Sequence, residues 1–465
     1  MTGCRGQHLA VCSEYAVHLE LIRMQVSTDP RLQRVIDKLA ASERLDEADG
    51  LAMFETHDVV GLGRLANADK ERRTGPFVAF VLNRQINPTN VCVLSCRFCD
   101  FAAKLGDEHA YELSLERIRE RVAEPIREVH VVGGMHPDWP FERYIEVLDA
   151  IREANPDAQI KAYTAVEIDF FAHLENISVD DVFERLQAAG MQAMPGGGAE
   201  VFSERVRAIM YKEKIGHERW LEIHEIAHRR GLRTNATLLY GHVETYQERV
   251  RHLLMLRELQ DRTGGFLSFI PLAFQPGYTN IVARQASAIE DLRTIAASRL
   301  MLDNFPHIKA YWVMLGAETA SMALQWGADD LDGTIGEELI AHAALASSPA
   351  GMTTSKLVKL IREAGRLPVQ RDALYNVVGV YPAPGYETHW SQRQGIAGAD
   401  PVANRGALAD ARALDVEHYG LHTWELVGAA GREIRELATT PFGEVPNEVP
   451  WLPDTAPEPV AEELA

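Results

Sequence analysis

The chain has 465 residues, 46% apolar and 25% charged, which suits a soluble globular protein with one large barrel or two to three domains and excludes fibrous, collagen-like and wholly disordered classes. Asp and Glu outnumber Lys and Arg by 67 to 47, a formal charge of -20, so neither nucleic acid nor an anionic membrane surface is an expected partner. Five cysteines are too few for a secreted disulfide framework, and all of them lie within the first 99 residues.

In chain order, the first twenty-five residues carry Arg5, His8, Glu14, His18 and Glu20, which leave no apolar core for a secretory signal. No window is apolar enough to predict a membrane span, so the default compartment is the cytoplasm. Residues 1–75 read as a helical preface, with Leu32, Val35, Ile36 and Leu39 on one face after possible caps at Ser27 to Asp29. Residues 76–335 alternate short β-rich runs with amphipathic helices. The predicted strands are 77–87, 127–134, 158–166, 190–197, 232–241, 265–274, 307–315 and 321–328. Between them lie helices such as 141–154, with Tyr144, Ile145, Leu148 and Ile151 as its stripe, and 218–230, stopped by Gly231. Eight such units predict a (β/α)8 barrel of the TIM type. An open doubly wound sheet is the competitor, weakened by the lack of G-x-G-x-x-G after the first strand. Residues 336–375 are read as helices completing the barrel, with Leu357, Val358, Leu360 and Ile361 on one of them. Residues 376–465 form an extension with 14 acidic against 5 basic residues, ending in a proline-rich acidic tail from about 437.

A barrel enzyme carries its chemistry at the C-terminal ends of its strands, and polar or glycine signals stand at all eight predicted ends. Cys92, Cys96 and Cys99 follow the first, Gly133, Gly134 and His136 the second, and Thr164 and Glu167 end the third. Gly196 to Gly198 and Glu200 follow the fourth, Tyr240, His242 and Glu244 the fifth, and Gln275 and Pro276 the sixth. Gly316 and Glu318 follow the seventh, and Asp329, Asp330, Asp332 and Gly333 the eighth. Three thiols spaced C-x3-C-x2-C can wrap one side of an iron-sulfur cubane and leave one iron open. Structural zinc would need a fourth ligand, and His109 lacks the usual knuckle spacing. Cys4 and Cys12 read as ordinary reduced thiols.

The run NVCVLSCRFCDF at 90–101 resembles the radical S-adenosylmethionine (radical SAM) signature C-x3-C-x-aromatic-C, with Phe98 as the aromatic. The resemblance implies a 4Fe-4S cluster on Cys92, Cys96 and Cys99 whose open iron is chelated by S-adenosylmethionine, the source of a 5'-deoxyadenosyl radical. It extends through VGGMHP (132–137), KAYTAVEI (161–168), MPGGGAEVF (194–202), TNATLLYGHVET (234–245), LRELQDRTGGF (256–266), FIPLAF (269–274), AYWVMLG (310–316) and DDLDGT (329–334). Together these are similar to the aminofutalosine synthase family of the futalosine route to menaquinone, over about residues 30–375. GGGAE and YGHVET are shared with the sibling cyclic dehypoxanthine futalosine synthases, toward which FQPG at 274–277 also leans. A non-catalytic metal-binding barrel is the remote alternative.

The resemblance implies cofactor contacts from Phe98, Gly133, Gly134, Glu167 and Gly197. Where related enzymes read Gly-Gly-Glu, this chain has Gly133, Gly134 and Met135, so no carboxylate carries over there. The implied reaction is a transferase step: the adenosyl radical adds to 3-[(1-carboxyvinyl)oxy]benzoate, the aryl group migrates, and carboxylate is lost to give 6-amino-6-deoxyfutalosine. A dicarboxylate substrate needs donors, and the expected ones are Arg84, Lys161, Asn235 and Thr237, with His242 as the acid-base or substrate residue. The expected protein partner is an electron donor such as flavodoxin or ferredoxin.

Overall fold

The computed structural model describes residue 27 and residues 29–381. The readings of Cys4, Cys12, the N-terminal start and nearly all of the extension with its acidic tail lie outside the described residues. Eleven strands are formed among the described residues: β1 (Phe77–Val81), β2 (Asn83–Ile86), β3 (Glu128–Val131), β4 (Gln159–Ala162), β5 (Met191–Met194), β6 (Arg233–Tyr240), β7 (Phe266–Ala273), β8 (His307–Ile308), β9 (Asp330–Gly333), β10 (Leu367–Arg371) and β11 (Val377–Val380). Strands β2 to β8 form a parallel sheet in sequential order, and β11, β10, β1 and β9 form a second sheet in that order. β1 runs into β2 through Leu82, β9 pairs with β1, and Lys309 bridges to Asp330, so β9 closes the curled sheet into a ring of eight positions. The helices pack outside, as parallel strands with crossover helices require.

Three expectations change in detail. The predicted strand 77–87 divides at Leu82, because its first half pairs with β9 and β10 and its second with β3. Of the predicted strand 307–315 only His307 and Ile308 are extended, and Trp312–Leu315 makes a helical turn. The predicted eighth strand, 321–328, begins inside the helix Ala317–Ala323, and its place in the ring belongs to β9, whose residues the sequence pattern assigns to a strand-end loop. Ala320, Ala323 and Leu324 are buried while Met322 is 54% exposed, a helical spacing that a short apolar run cannot distinguish from a strand.

Local signals set the helices that hold the ring. Leu32, Val35 and Ile36 are buried on Pro30–Ala40, which Asp29 caps. Thr245 and Glu248 cap Tyr246–Thr263 reciprocally, and Gly264 ends it at φ 61°. On Phe141–Ala154 the buried stripe is Phe141, Tyr144, Val147, Leu148 and Ile151. Among the described residues no helix is long and apolar enough to cross a membrane.

The end of the barrel where the strands begin is plugged by the segment after β10. Arg371 Nε lies 2.6 Å from Asp330, its Nη1 3.5 Å from Glu128, and Glu128 also pairs with Lys161. Lys309 meets Asp332 at 3.2 Å. Tyr375 stacks on His307, ring centroids 4.1 Å apart, and lies 4.1 Å from the Arg371 guanidinium. Asp372 accepts from Gln159 Nε2 at 3.0 Å, tying the plug to the start of β4. Burial alone would raise the Glu128 carboxyl, but the Lys161 and Arg371 charges outweigh it and hold it well below the usual range.

Candidate active site

The cysteine loop leaves β2 at the opposite end and is pinched at its base by backbone pairs: Cys92 N–H donates to Ala103 O and Ala103 N–H to Asn90 O, both at 2.9 Å. Lys104 then reaches back, and its Nζ donates to the carbonyls of Cys92, Val93 and Leu94 at 2.9, 3.2 and 2.7 Å. Cys99 N–H donates to Cys96 O at 3.1 Å, a tight turn that carries Phe98. The far side is fixed from beyond β5: Glu213 accepts from Ser95 N–H at 2.7 Å and Met210 O from Arg97 N–H at 2.9 Å.

Gly133 and Gly134 lie directly beneath this loop. Gly134 N–H donates to Thr89 O at 2.8 Å, and Met135 O accepts from Val93 N–H at 2.9 Å. A Cβ on Gly134 would stand 2.1 Å from Val91 O, and one on Gly133 2.9 Å from Thr89 O. These glycines are therefore needed for backbone to meet backbone just before the first cysteine. Glu167 adds a second tie: Oε1 accepts from Gly133 N–H at 3.1 Å, while Oε2 accepts from Thr164 N–H and hydroxyl, both at 2.7 Å. Burial pushes its carboxyl up to about 7. As placed, Glu167 caps its own helix and joins the ends of β3 and β4.

The GGG turn is similarly built in. Thr237 Oγ1 donates to Gly196 O at 2.7 Å, Trp220 Nε1 to Gly197 O at 3.2 Å, and Gly198 takes φ 82°. Glu200, held at φ 44°, meets Lys214 Nζ at 2.6 Å, and that ammonium lies 4.9 Å from the centre of the Phe98 ring. Burial pushes the Cys96 thiol up to about 11 and raises Cys99 as well, with Lys214 pulling both back. Asp100 accepts from Tyr278 N–H at 2.9 Å, which docks the FQPG loop on the cysteine loop.

Several expected site residues are placed otherwise. Lys161 is buried on Glu128 among the plug charges, which corrects its assignment as a substrate donor: its ammonium is already neutralised. Arg84 pairs with Glu124, so it does not present its guanidinium at the barrel mouth. The His242 side chain is fully buried, with Nε2 donating to Leu239 O at 3.0 Å and Nδ1 accepting from Val243 N–H at 2.7 Å and standing 3.0 Å from Glu244. It holds its own loop and has no ring nitrogen left for acid-base work. Asn235 accepts from Ser268 Oγ at 3.0 Å on the face of β6 opposite Thr234, whose hydroxyl meets His224 and His228 on the outer helix. Asn235 and Thr237 therefore face inward.

Sequence reasoning missed Lys104, Lys214, Glu213 and His130. The alternation in REVHVV was a signal for His130, whose field comes from Lys161, Glu128, Asp332 and Lys309; burial lowers it to about 3, so it stays neutral. Nothing local marks Lys214, because only the fold brings YKEK against the cysteines.

Among the described residues no three His, Cys, Asp or Glu side chains converge on a point that one ion would fill. Three half-exposed thiols spread over one loop, each within the electrostatic reach of another, instead fit a larger group held on one side. The model of the radical SAM superfamily matches residues 86–256, and that of the CofH/MqnC C-terminal region residues 263–382. The chain is 45% identical to an aminodeoxyfutalosine synthase of Thermus thermophilus, covering 76% of this chain and 97% of the relative. It is 40% identical to an aminodeoxyfutalosine synthase of Streptomyces coelicolor, over 77% and 96%, and 37% identical to a cyclic dehypoxanthine futalosine synthase of the same organism, over 76% and 90%. Its fold is similar to the crystal structure of methylornithine synthase, with a TM-score of 0.57 at 16% identity over 71% of this chain and 96% of that one. The chain belongs to the radical SAM superfamily, in the family of the aminodeoxyfutalosine synthases.

Proposed function

We propose that this chain joins the adenosyl group of S-adenosylmethionine to 3-[(1-carboxyvinyl)oxy]benzoate and so makes 6-amino-6-deoxyfutalosine. The observation that carries the reading is the three-thiol loop pressed onto Gly133 and Gly134 at the open end of the barrel. Cys92, Cys96 and Cys99 are the residues to hold a 4Fe-4S cluster, which supplies the electron that cleaves the sulfonium of S-adenosylmethionine.

What the chain itself contributes is position and shelter. Lys104, Glu213 and Met210 O fix the loop that carries the thiols, and Glu167 fixes the glycine floor beside it. Asn235 and Thr237 face inward from β6 and remain the substrate contacts we favour, joined by neutral His130 from β3. The plug closes the other end of the barrel with paired side chains, which helps to keep bulk solvent and its solutes away from a radical reaction. The test is mass spectrometry of an anaerobic reaction of reconstituted protein with reductant, S-adenosylmethionine and the aryl enol ether. Methionine together with an adenosyl-aryl adduct is expected. Free 5'-deoxyadenosine as the sole nucleoside product contradicts addition and favours a hydrogen-abstracting enzyme like the cyclic dehypoxanthine futalosine synthases.

A further inference from the structure

Among the described residues an ion pair from the segments that follow β5 lies beside the cysteine loop. Lys214 comes from the loop after the helix Glu204–Met210, and its ammonium lies, partly buried, between the Glu200 carboxylate, 2.6 Å away, and the Phe98 ring, 4.9 Å away. Phe98 sits immediately before Cys99 and two residues after Cys96. The ammonium is the first opposing charge felt by the thiols of both cysteines, and Glu200 is felt by Cys96 with the opposite sign. Other charged groups at the loop have partners of their own: Lys104 three carbonyls, Glu213 the Ser95 N–H, Arg97 the Ile209 O at 3.2 Å, and Asp100 the Tyr278 N–H at 2.9 Å.

The pair is held as though its placement matters. Glu200 is not a glycine, yet it takes φ 44°, a left-handed conformation costly for a side chain of its type. Its carbonyl accepts from Leu239 N–H at 2.9 Å, so the end of β6 fixes the backbone that aims the carboxylate. Phe98 packs edge-on against Tyr211, centroids 6.1 Å apart, and this fixes the ring over which the ammonium rests. Glu200, together with the Cys96 and Cys99 side chains, favours the charged form of this ammonium against the cost of its partial burial.

We infer that Lys214 and Glu200 together set the reduction potential of the cluster on Cys92, Cys96 and Cys99, Lys214 favouring the reduced form and Glu200 limiting that effect. Reduction adds one negative charge to the thiolate-bound group, and a fixed positive charge beside two of the thiolates stabilises the product more than the reactant. Lys214 and Glu200 are thus positioning residues that act on how readily the electron is accepted. The inference rests on the cluster reading and goes beyond it to how the site is tuned.

The experiment is an EPR-monitored redox titration of the anaerobically reconstituted full chain without S-adenosylmethionine, for the wild type, Lys214→Met, Lys214→Arg and Glu200→Gln, each with iron and sulfide content measured. The midpoint is expected to move to more negative values in Lys214→Met, to stay near wild type in Lys214→Arg, and to move to more positive values in Glu200→Gln. Fully loaded Lys214→Met and Glu200→Gln proteins with the wild-type midpoint, or shifted in the same direction, overturn the inference while leaving the cluster in place. Should Lys214→Met fail to take up iron, the opposite sign in Glu200→Gln and the unchanged Lys214→Arg still decide it. A wild type that takes up no cluster overturns the functional reading and this inference with it.

Discussion

At the end where the strands begin, Glu128, Asp330 and Asp332 are met by Lys161, Arg371 and Lys309, and the segment after β10 seals the charges from solvent. At the end where the strands finish, three thiols ride on a loop fixed largely through backbone groups, with glycines beneath it and lysine ammoniums around it. The first region uses side-chain charge to close a barrel. The second keeps its three thiols unpaired and puts much of the cost of order on the main chain, which teaches that a Cβ is more damaging there than a lost charge.

The sharpest break of that contrast is Gly134→Ala. A methyl 2.1 Å from Val91 O forces the glycine floor and the cysteine loop apart, so reconstituted protein is expected to lose its iron and all turnover while its circular dichroism stays close to wild type. Cys96→Ala abolishes turnover equally, and iron analysis with an activity assay checks both. At the plug, Arg371→Met leaves Asp330 without its ion-pair partner and Glu128 with Lys161 alone, and should cost about 3–5 kcal/mol, read from the urea midpoint. A partner change, Asp330→Leu in the same chain, should recover much of that loss, because a buried pair replaced by apolar groups is often nearly neutral.

The two ends should also respond to pH with opposite sign. The Glu128 and Asp330 carboxyls are held below their ordinary values by Lys161, Arg371 and Lys309 despite burial, so their contribution to stability is present above the usual carboxylate range and is lost only as pH falls through their depressed values. Glu167 is raised by burial from 4.5 to about 7, so its contribution is full below pH 4.5 and is lost as pH rises through about 7. Urea midpoints between pH 4.5 and 7.5 should therefore fall more steeply in the wild type than in Glu167→Gln. The smallest expected effect is Lys104→Met, which releases three carbonyls at an exposed edge and should lower loop stability by roughly 1 kcal/mol, seen as faster iron loss to a chelator.

The sequence was most legible where chemistry and spacing coincide. Cys92, Cys96 and Cys99, the glycines at 133–134 and 196–198, and the alternation of strands with helices carried the family and the fold. It was least legible where tertiary packing decides. Asp330–Gly333 looked like a polar strand-end loop because two carboxylates seldom suit a strand, yet Arg371 and Lys309, brought from elsewhere in the chain, neutralise them inside the ring. His242 and Lys161 looked like substrate groups because their type and position suited one, and only the fold reveals that Leu239 O, Val243 N–H and Glu128 already occupy them.

A loop of three thiols clamped on Gly133 and Gly134 should hold a cluster with one iron open to S-adenosylmethionine. EPR of the reduced, reconstituted wild type with and without S-adenosylmethionine tests it most directly. About four irons per chain are expected, with a spectrum that changes when S-adenosylmethionine is added. A fully loaded cluster whose spectrum is indifferent to S-adenosylmethionine would contradict it.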